Sequence, residues 1–256
     1  MVHVRNGSAV SVIIPALDEE EAVQSVIRRV PAWADEIIVV DNGSRDGTGR
    51  VAAAAGARVV DEPRHGYGRA CMAGARAARS ADVLVFLDAD GSDHPEQMER
   101  LADPIVEGRA DLVIGSRTLG SRERGAMSLP QRFGNFLAPL LIRLLWRGRF
   151  TDLGPFRAIR ADSLQDLRMD APTYGWTVQM QIRALRARIR CLEVAVDCAR
   201  RKAGRSKISG TVRGVVGAGA GILACVAIEA LSPGFDRTTE QPADQGRRAF
   251  LPGRRR

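Results

Sequence analysis

The sequence predicts an α/β domain built on an open, mainly parallel twisted sheet flanked by helices. Three observations predict it. Apolar runs of strand length alternate with helix-patterned segments four times within about the first ninety residues. The runs are almost continuously hydrophobic, as strands covered on both faces are. The first, second and fourth of them lead into acidic turns, so their carboxylates gather at one edge of the sheet, where open α/β sheets place their ligands.

Residues 1–8 form a loose start. Ala9 to Pro15 is the first strand, stopped by proline. Ala16-Leu17-Asp18-Glu19-Glu20 opens a helix with acids in its first turn, as the helix dipole favours, and Ala22, Val23, Val26, Ile27 and Val30 keep helical spacing to Pro31. Glu36 to Val40 is the second strand, followed by the turn-rich Asp41-Asn42-Gly43-Ser44-Arg45-Asp46-Gly47-Thr48 and an Ala-rich helix. A third strand lies around Ala57 to Asp61. After Glu62-Pro63-Arg64-His65-Gly66-Tyr67-Gly68 a helix runs from Arg69 to Ala78. Right-handed βαβ crossovers join such elements.

The fourth strand, Val83-Leu84-Val85-Phe86-Leu87, organises the rest, because it delivers Asp88 and Asp90 at its carboxyl end. Two acids at i and i+2 repel unless a cation sits beside them. A hard dication, Mg²⁺ or Mn²⁺, prefers oxygen ligands and completes its shell with phosphate oxygens and water. A solvated Asp turn is the alternative for any isolated D-x-D; the acids of the neighbouring turns favour the metal.

The formal net charge is +8, carried almost wholly by arginine, and both lysines, Lys202 and Lys207, fall in one basic segment. That balance suits phosphorylated substrates or an anionic membrane surface. Aromatic residues make up 5% and do not interleave with the basic ones, which excludes an RNA-stacking module and argues against nucleic acid. Cys71, Cys191, Cys198 and Cys225 show no metal spacing, so reduced, mostly buried thiols in a cytosolic chain are expected. No leader pattern is visible.

The first turn holds no glycine, and Gly66-Tyr67-Gly68 lacks a third, so neither a dinucleotide fingerprint nor a P-loop is present. Acids at the first two turns suit hydrogen bonds to a base and a ribose instead. Taken in order, Pro15-Ala16-Leu17-Asp18-Glu19, Asp41-Asn42-Gly43-Ser44 with Asp46-Gly47-Thr48, His65-Gly66-Tyr67-Gly68 and Asp88-Ala89-Asp90 resemble the signatures of inverting GT-A glycosyltransferases of family 2. The branch most similar is that of the dolichyl- or polyprenyl-phosphate mannose and glucose synthases, over residues 10–210. The resemblance implies a GT-A fold whose nucleotide-sugar half is 9–116 and whose acceptor half is 117–211. It implies that Pro15, Ala16, Asp18 and Glu19 border the nucleotide, with Asp41, Gly43, Ser44, Gly66 and Gly68 nearby. Asp88 and Ala89 would face the ribose and metal, and Asp90 would be the main metal ligand.

In the acceptor half, Asp111 to Ile114 reads as a strand leading to Gly115-Ser116-Arg117, where the resemblance puts the arginine near the diphosphate. Apolar residues at 133, 136, 137, 140, 141, 144 and 145 make a helical stripe with arginines on its other face; it suits a membrane surface or the protein's own sheet equally. Thr151 to Ala158 resembles the family's acceptor-side segment, with Arg157 and Arg160 as phosphate-gripping candidates against a structural ion pair. The family pattern implies an acid where this chain has Gln179; Asp152 is the alternative acid, and an ionised phosphate acceptor needs no strong base. Arg201, Arg205, Ser206 and Lys207 belong to a basic loop resembling one that holds the acceptor phosphate or the diphosphate. Residues 214–228 carry no charge and several glycines, fitting a buried or interfacial helix within 212–231 rather than a span. From 232 to 256 the composition is that of a disordered basic tail.

The expected protein is thus a metal-dependent transferase moving a hexose from a GDP-mannose or UDP-glucose type donor to a polyprenyl phosphate. It would work in the cytoplasm or on the inner face of the cell membrane. The rivals are a soluble sugar or sugar-phosphate acceptor, and a nucleotide-binding protein without turnover.

Overall fold

The computed structural model describes residues 7–79, 81–123, 129–201 and 212–232. Seven strands form one sheet: β1 (Val10–Ala16), β2 (Glu36–Asp41), β3 (Arg58–Asp61), β4 (Val83–Phe86), β5 (Leu112–Ser116), β6 (Arg157–Arg160) and β7 (Cys191–Ala195). Their order across the sheet is β3-β2-β1-β4-β6-β5-β7. All pair in parallel except β6, which runs antiparallel between β4 and β5. The mainly parallel expectation therefore holds, and the predicted strands through β5 are present.

Side chains alternate across the strands, so neighbouring residues enter different cores. Val12, Ile14 and Val85 face Val23 and Val26 of α1 (Glu20–Arg29), Ala52 of α2 (Thr48–Ala54) and Leu101 and Ile105 of α4 (Met98–Val106). Ile13, Ile38 and Phe86 face Ala70 and Cys71 of α3 (Tyr67–Ala77) and Trp176 and Met180 of α7 (Gly175–Arg186). Burial of each such large side chain contributes about 1.5–3 kcal/mol. A short α6 (Ala161–Asp166) follows β6.

A third cluster joins α5 (Leu129–Trp146) and α8 (Val212–Leu231) to α7 through Ala138, Ile142, Val178, Ile182, Cys225 and Val226. Here the structure decides between the two readings of the amphipathic stripe in one respect. The helix does not cover the sheet. It turns Ala138 and Ile142 inward with Leu141 packed beside them, while Phe136 and Leu144 of the stripe look outward, 66% and 70% exposed. Leu140 and Leu145 on α5, and Leu223, Ile228 and Leu231 on α8, are exposed as well. No helix among the described residues is long and apolar enough to cross a membrane. The four cysteines are free thiols, three of them buried and Cys191 half-buried.

Candidate active site

The turns after β1, β2 and β4 lie side by side because those strands are neighbours in register, Ala16 opposite Asp41 and Ile13 opposite Phe86. Asp18, Asp41 and Asp88 therefore share one edge of the sheet. Asp18 sits in the left-handed region at φ 49°, a conformation that Asp tolerates better than most residues. Two hydrogen bonds hold it there: its amide donates to Ser44 Oγ at 3.0 Å, and its Oδ1 accepts from the Arg45 amide at 2.8 Å. The Ser44 amide donates to Asp41 Oδ1 at 2.8 Å, and the Glu19 amide to Thr48 Oγ1 at 2.8 Å. Asn42 is buried and laces the next loop down, donating to the carbonyls of Glu62 and Arg64 and accepting from the Gly66 amide. Pro15 and Ala16 are buried within β1 itself.

Gly66 and Gly68 serve close packing. Gly66 has a positive φ of 148°, and a Cβ on either glycine would collide with the Pro172 or Ala171 carbonyl just before α7. The Arg69 amide donates to the Pro172 carbonyl at 3.1 Å, locking α3 to that segment. A Cβ on Gly43, at φ 81°, would press on His65.

Beyond β4 the chain turns at Gly91 (φ 77°) so that Asp93 returns beneath the strand end, and its Oδ2 accepts from the Asp88 amide at 3.0 Å. Asp90 Oδ1 accepts from the Ser92 amide at 2.9 Å. Three carboxylates are thus crowded together. Burial, then Asp90 and Asp93, push the Asp88 carboxyl well above the usual range, although the residue keeps a partial opening to solvent. Burial above all raises Asp93 to about 6. A site that resists its own ionisation in this way favours an added cation. The carboxylate oxygens of Asp88 and Asp90 fit a hard dication in kind; among the described residues no three acidic, His or Cys side chains form a cage by themselves.

Arg117, at the end of β5, donates from Nε and Nη2 to Asp152 at 2.9 and 2.8 Å, and its amide donates to the same carboxylate at 2.8 Å. Asp152 is fully buried, and although burial works to raise its pKa, the charge and hydrogen bonds of Arg117 hold it below the usual carboxylate range. Its carboxylate is committed to fixing Arg117, which corrects the expectation of a proton-accepting role. Arg157 is corrected too. It is wholly buried, its guanidinium donating to the Leu153, Gly154 and Thr177 carbonyls beside the Trp176 ring, and burial pulls its pKa down to about 10. Arg157 clamps the 153–154 loop to α7 and has no free donor face for an acceptor. Arg160 lies at the far end of the sheet, opposite Val83, and pairs with Asp111.

Gln179 likewise faces inward. Its Oε1 accepts from the Asp170 and Ala171 amides, and its Nε2 donates to Asp170 Oδ1 and to Glu229 Oε1 at 3.0 Å. The buried Glu229 of α8 also takes Arg183 and Arg186 of α7 at 2.7 and 3.0 Å. A glutamate at 179 would confront that carboxylate, which explains the amide here.

Arg201 does reach the rim. Its Nη1 lies 2.9 Å from Glu19 Oε1 and its Nη2 3.2 Å from Asp90 Oδ2. Arg205, Ser206 and Lys207 lie outside the described residues, as does the tail from 233 onward. Sequence reasoning missed Asp93, Tyr67 and Tyr174. The Tyr67 ring stacks on Tyr174 at 6.4 Å between centroids and meets Trp176 edge-on, close enough to Asp88 for each to influence the other. The spacing D-x-D-G-x-D, with glycine allowing the chain to reverse, is the signal that points to Asp93.

This sheet, with acids on its carboxyl rim and one reversed strand, is the fold of the GT-A glycosyltransferases. Residues 11–168 match the family described as Glycosyl transferase family 2, and the chain belongs to that family. It is 35% identical over 222 residues to an undecaprenyl-phosphate mannosyltransferase of Micrococcus luteus, covering 80% of this chain and 88% of the relative. It is 32% identical over 224 residues to a polyprenol monophosphomannose synthase of Mycolicibacterium smegmatis, covering 78% and 81%. Among solved structures it is similar to glucosyl-3-phosphoglycerate synthase of Mycobacterium tuberculosis in complex with Mn²⁺, UDP and glucosyl-3-phosphoglycerate. That match has a TM-score of 0.72 and 25% identity, over 91% of this chain and 83% of that one.

Proposed function

We propose that this transferase moves a hexose from a nucleoside-diphosphate sugar to a polyprenyl phosphate at a membrane surface. The observation that carries the reading is the exposed apolar face of α5 and α8, on a chain 35% identical to an undecaprenyl-phosphate mannosyltransferase. That face is mechanically tied to the chemistry: Asn135 of α5 accepts the Leu153 amide at 2.9 Å, next to the Asp152 that fixes Arg117. Exposed Arg143 on the same helix and Arg147 just past its end suit anionic headgroups.

In this reading Asp18 and Asp41, with Glu19, Gly43 and Ser44 around them, receive the base and ribose. Asp88 and Asp90 would hold a divalent metal, Mg²⁺ or Mn²⁺, and its charge would stabilise the departing diphosphate. Arg117, immobilised by Asp152, aims a fixed positive charge at the same leaving group, the electrostatic contribution usually worth most. The acceptor phosphate oxygen attacks the anomeric carbon as the bond to the diphosphate breaks, with inversion. An ionised phosphate brings its own electron pair, so neither Gln179 nor Asp152 is required as a base.

A second reading replaces the lipid with a small phosphorylated acceptor, as the likeness to glucosyl-3-phosphoglycerate synthase suggests. Radiolabelled GDP-mannose and UDP-glucose, each with Mn²⁺, separate the two. Label entering organic solvent with undecaprenyl phosphate in detergent supports the first reading; label retained in water with 3-phosphoglycerate supports the second.

A further inference from the structure

We propose that Arg201 is a resident counter-cation of the metal-binding carboxylates, which a divalent ion has to displace, so that metal capture depends on a diphosphate arriving with it. The inference rests on the metal assignment above but adds a competitor to it. The guanidinium spans two turns, with Nη1 on Glu19 after β1 and Nη2 on Asp90 after β4. Asp90 then has both oxygens engaged, Oδ1 by the Ser92 amide and Oδ2 by Arg201. Glu19 is buried and Asp90 is only 16% exposed, so the cation neutralises charge that water solvates poorly.

Its position is built by the backbone. The segment following β7 is pinned by the Val196 amide to the Ser116 carbonyl, by the Cys198 amide to Ser121, and by the Ala199 amide to the carbonyl of Ser92, two residues beyond Asp90. The Arg200 amide donates to Glu123. Arg201 is thereby delivered to the rim. A guanidinium stays charged at any working pH, so it cannot yield Asp90 by losing its proton; it has to move or be offset. A bare dication at Asp90 would stand against this fixed charge at contact range. A metal carrying a diphosphate reduces that repulsion and offers the guanidinium phosphate oxygens in exchange for Asp90.

The test is Mn²⁺ binding followed by the electron paramagnetic resonance signal of the free ion, for the whole chain, with Mn²⁺ alone and with Mn²⁺ plus GDP or UDP. Arg201→Gln is expected to bind Mn²⁺ alone about tenfold more tightly than the unaltered chain, within the usual range of site-to-site coupling. The gain in Mn²⁺ affinity on adding the diphosphate should shrink correspondingly. Arg201→Lys, which keeps the charge without the fork, should fall between the two, and thermal melting verifies that each variant is folded. Equal or weaker binding of Mn²⁺ alone by folded Arg201→Gln overturns the inference while leaving the metal site standing. Failure of the unaltered chain to bind Mn²⁺ even with GDP or UDP overturns both.

Discussion

Removing the Glu229 carboxylate tests how the outer helices are held to the sheet. Glu229 is 3% exposed and receives Arg183 at 2.7 Å, Arg186 at 3.0 Å and Gln179 at 3.0 Å, the two arginine side chains being only 13% and 11% exposed. Glu229→Ala leaves two largely buried cations with one acceptor fewer each. Breaking a buried pair from one side costs about 3–5 kcal/mol, which in a chain of this size lowers the melting temperature by about 10 °C. The measurement is urea unfolding followed by far-UV circular dichroism. A cycle sharpens it. Gln179→Glu alone should also destabilise, because the new carboxylate meets Glu229 and Asp170. Combined with Glu229→Gln it should regain part of the loss, since the new carboxylate then meets an amide in place of the Glu229 carboxylate. A Glu229→Ala variant within about 0.5 kcal/mol of the parent, the range of ordinary surface changes, would refute the claim that this cluster fastens α8 to α7.

Other consequences are open to measurement. Asp152→Ala strips the Arg117 guanidinium and amide of three hydrogen bonds; unfolding should become easier by about 3 kcal/mol, and turnover should fall with it because Arg117 is no longer aimed. Asp111 is held at about 2, chiefly by its hydrogen bonds from Arg190. A folded value below the unfolded one makes its contribution full above about pH 4 and lost as the pH falls towards 2; allowing for solvent screening it is worth about 1–2 kcal/mol. Arg190→Ala should therefore flatten the acid limb of a stability–pH curve, and an unchanged limb would contradict the assignment.

Much of the nucleotide half is legible in the chain itself, because β1, β2 and β4 are nearly continuous apolar runs and each is followed by acids. The acceptor half hides more. β6 is only Arg157-Ala158-Ile159-Arg160, polar at both ends, and β7 is a half-buried edge strand. Reading Arg157 and Arg160 as a pair overlooked that residues three apart on a strand point to opposite faces; one is sealed under Trp176 and the other pairs with Asp111 at the far end of the sheet. The family resemblance implies an acid at Gln179, and the reason for the amide is hidden in the sequence because its partner Glu229 lies fifty residues away on another helix. The α5 stripe was visible, but periodicity says which residues share a face and nothing of what that face meets.

The central claim is that Asp88 and Asp90 seat a diphosphate through a divalent ion, and the coupling between the two ligands tests it directly. Calorimetric titration of GDP and UDP is the measurement, with and without Mn²⁺, on the parent chain and on Asp90→Asn. The account predicts that Mn²⁺ tightens the preferred nucleotide at least about tenfold, a coupling of about 1.4 kcal/mol, and that Asp90→Asn abolishes the gain while remaining folded. Nucleotide affinity indifferent to Mn²⁺, or a full gain surviving in Asp90→Asn, would contradict it.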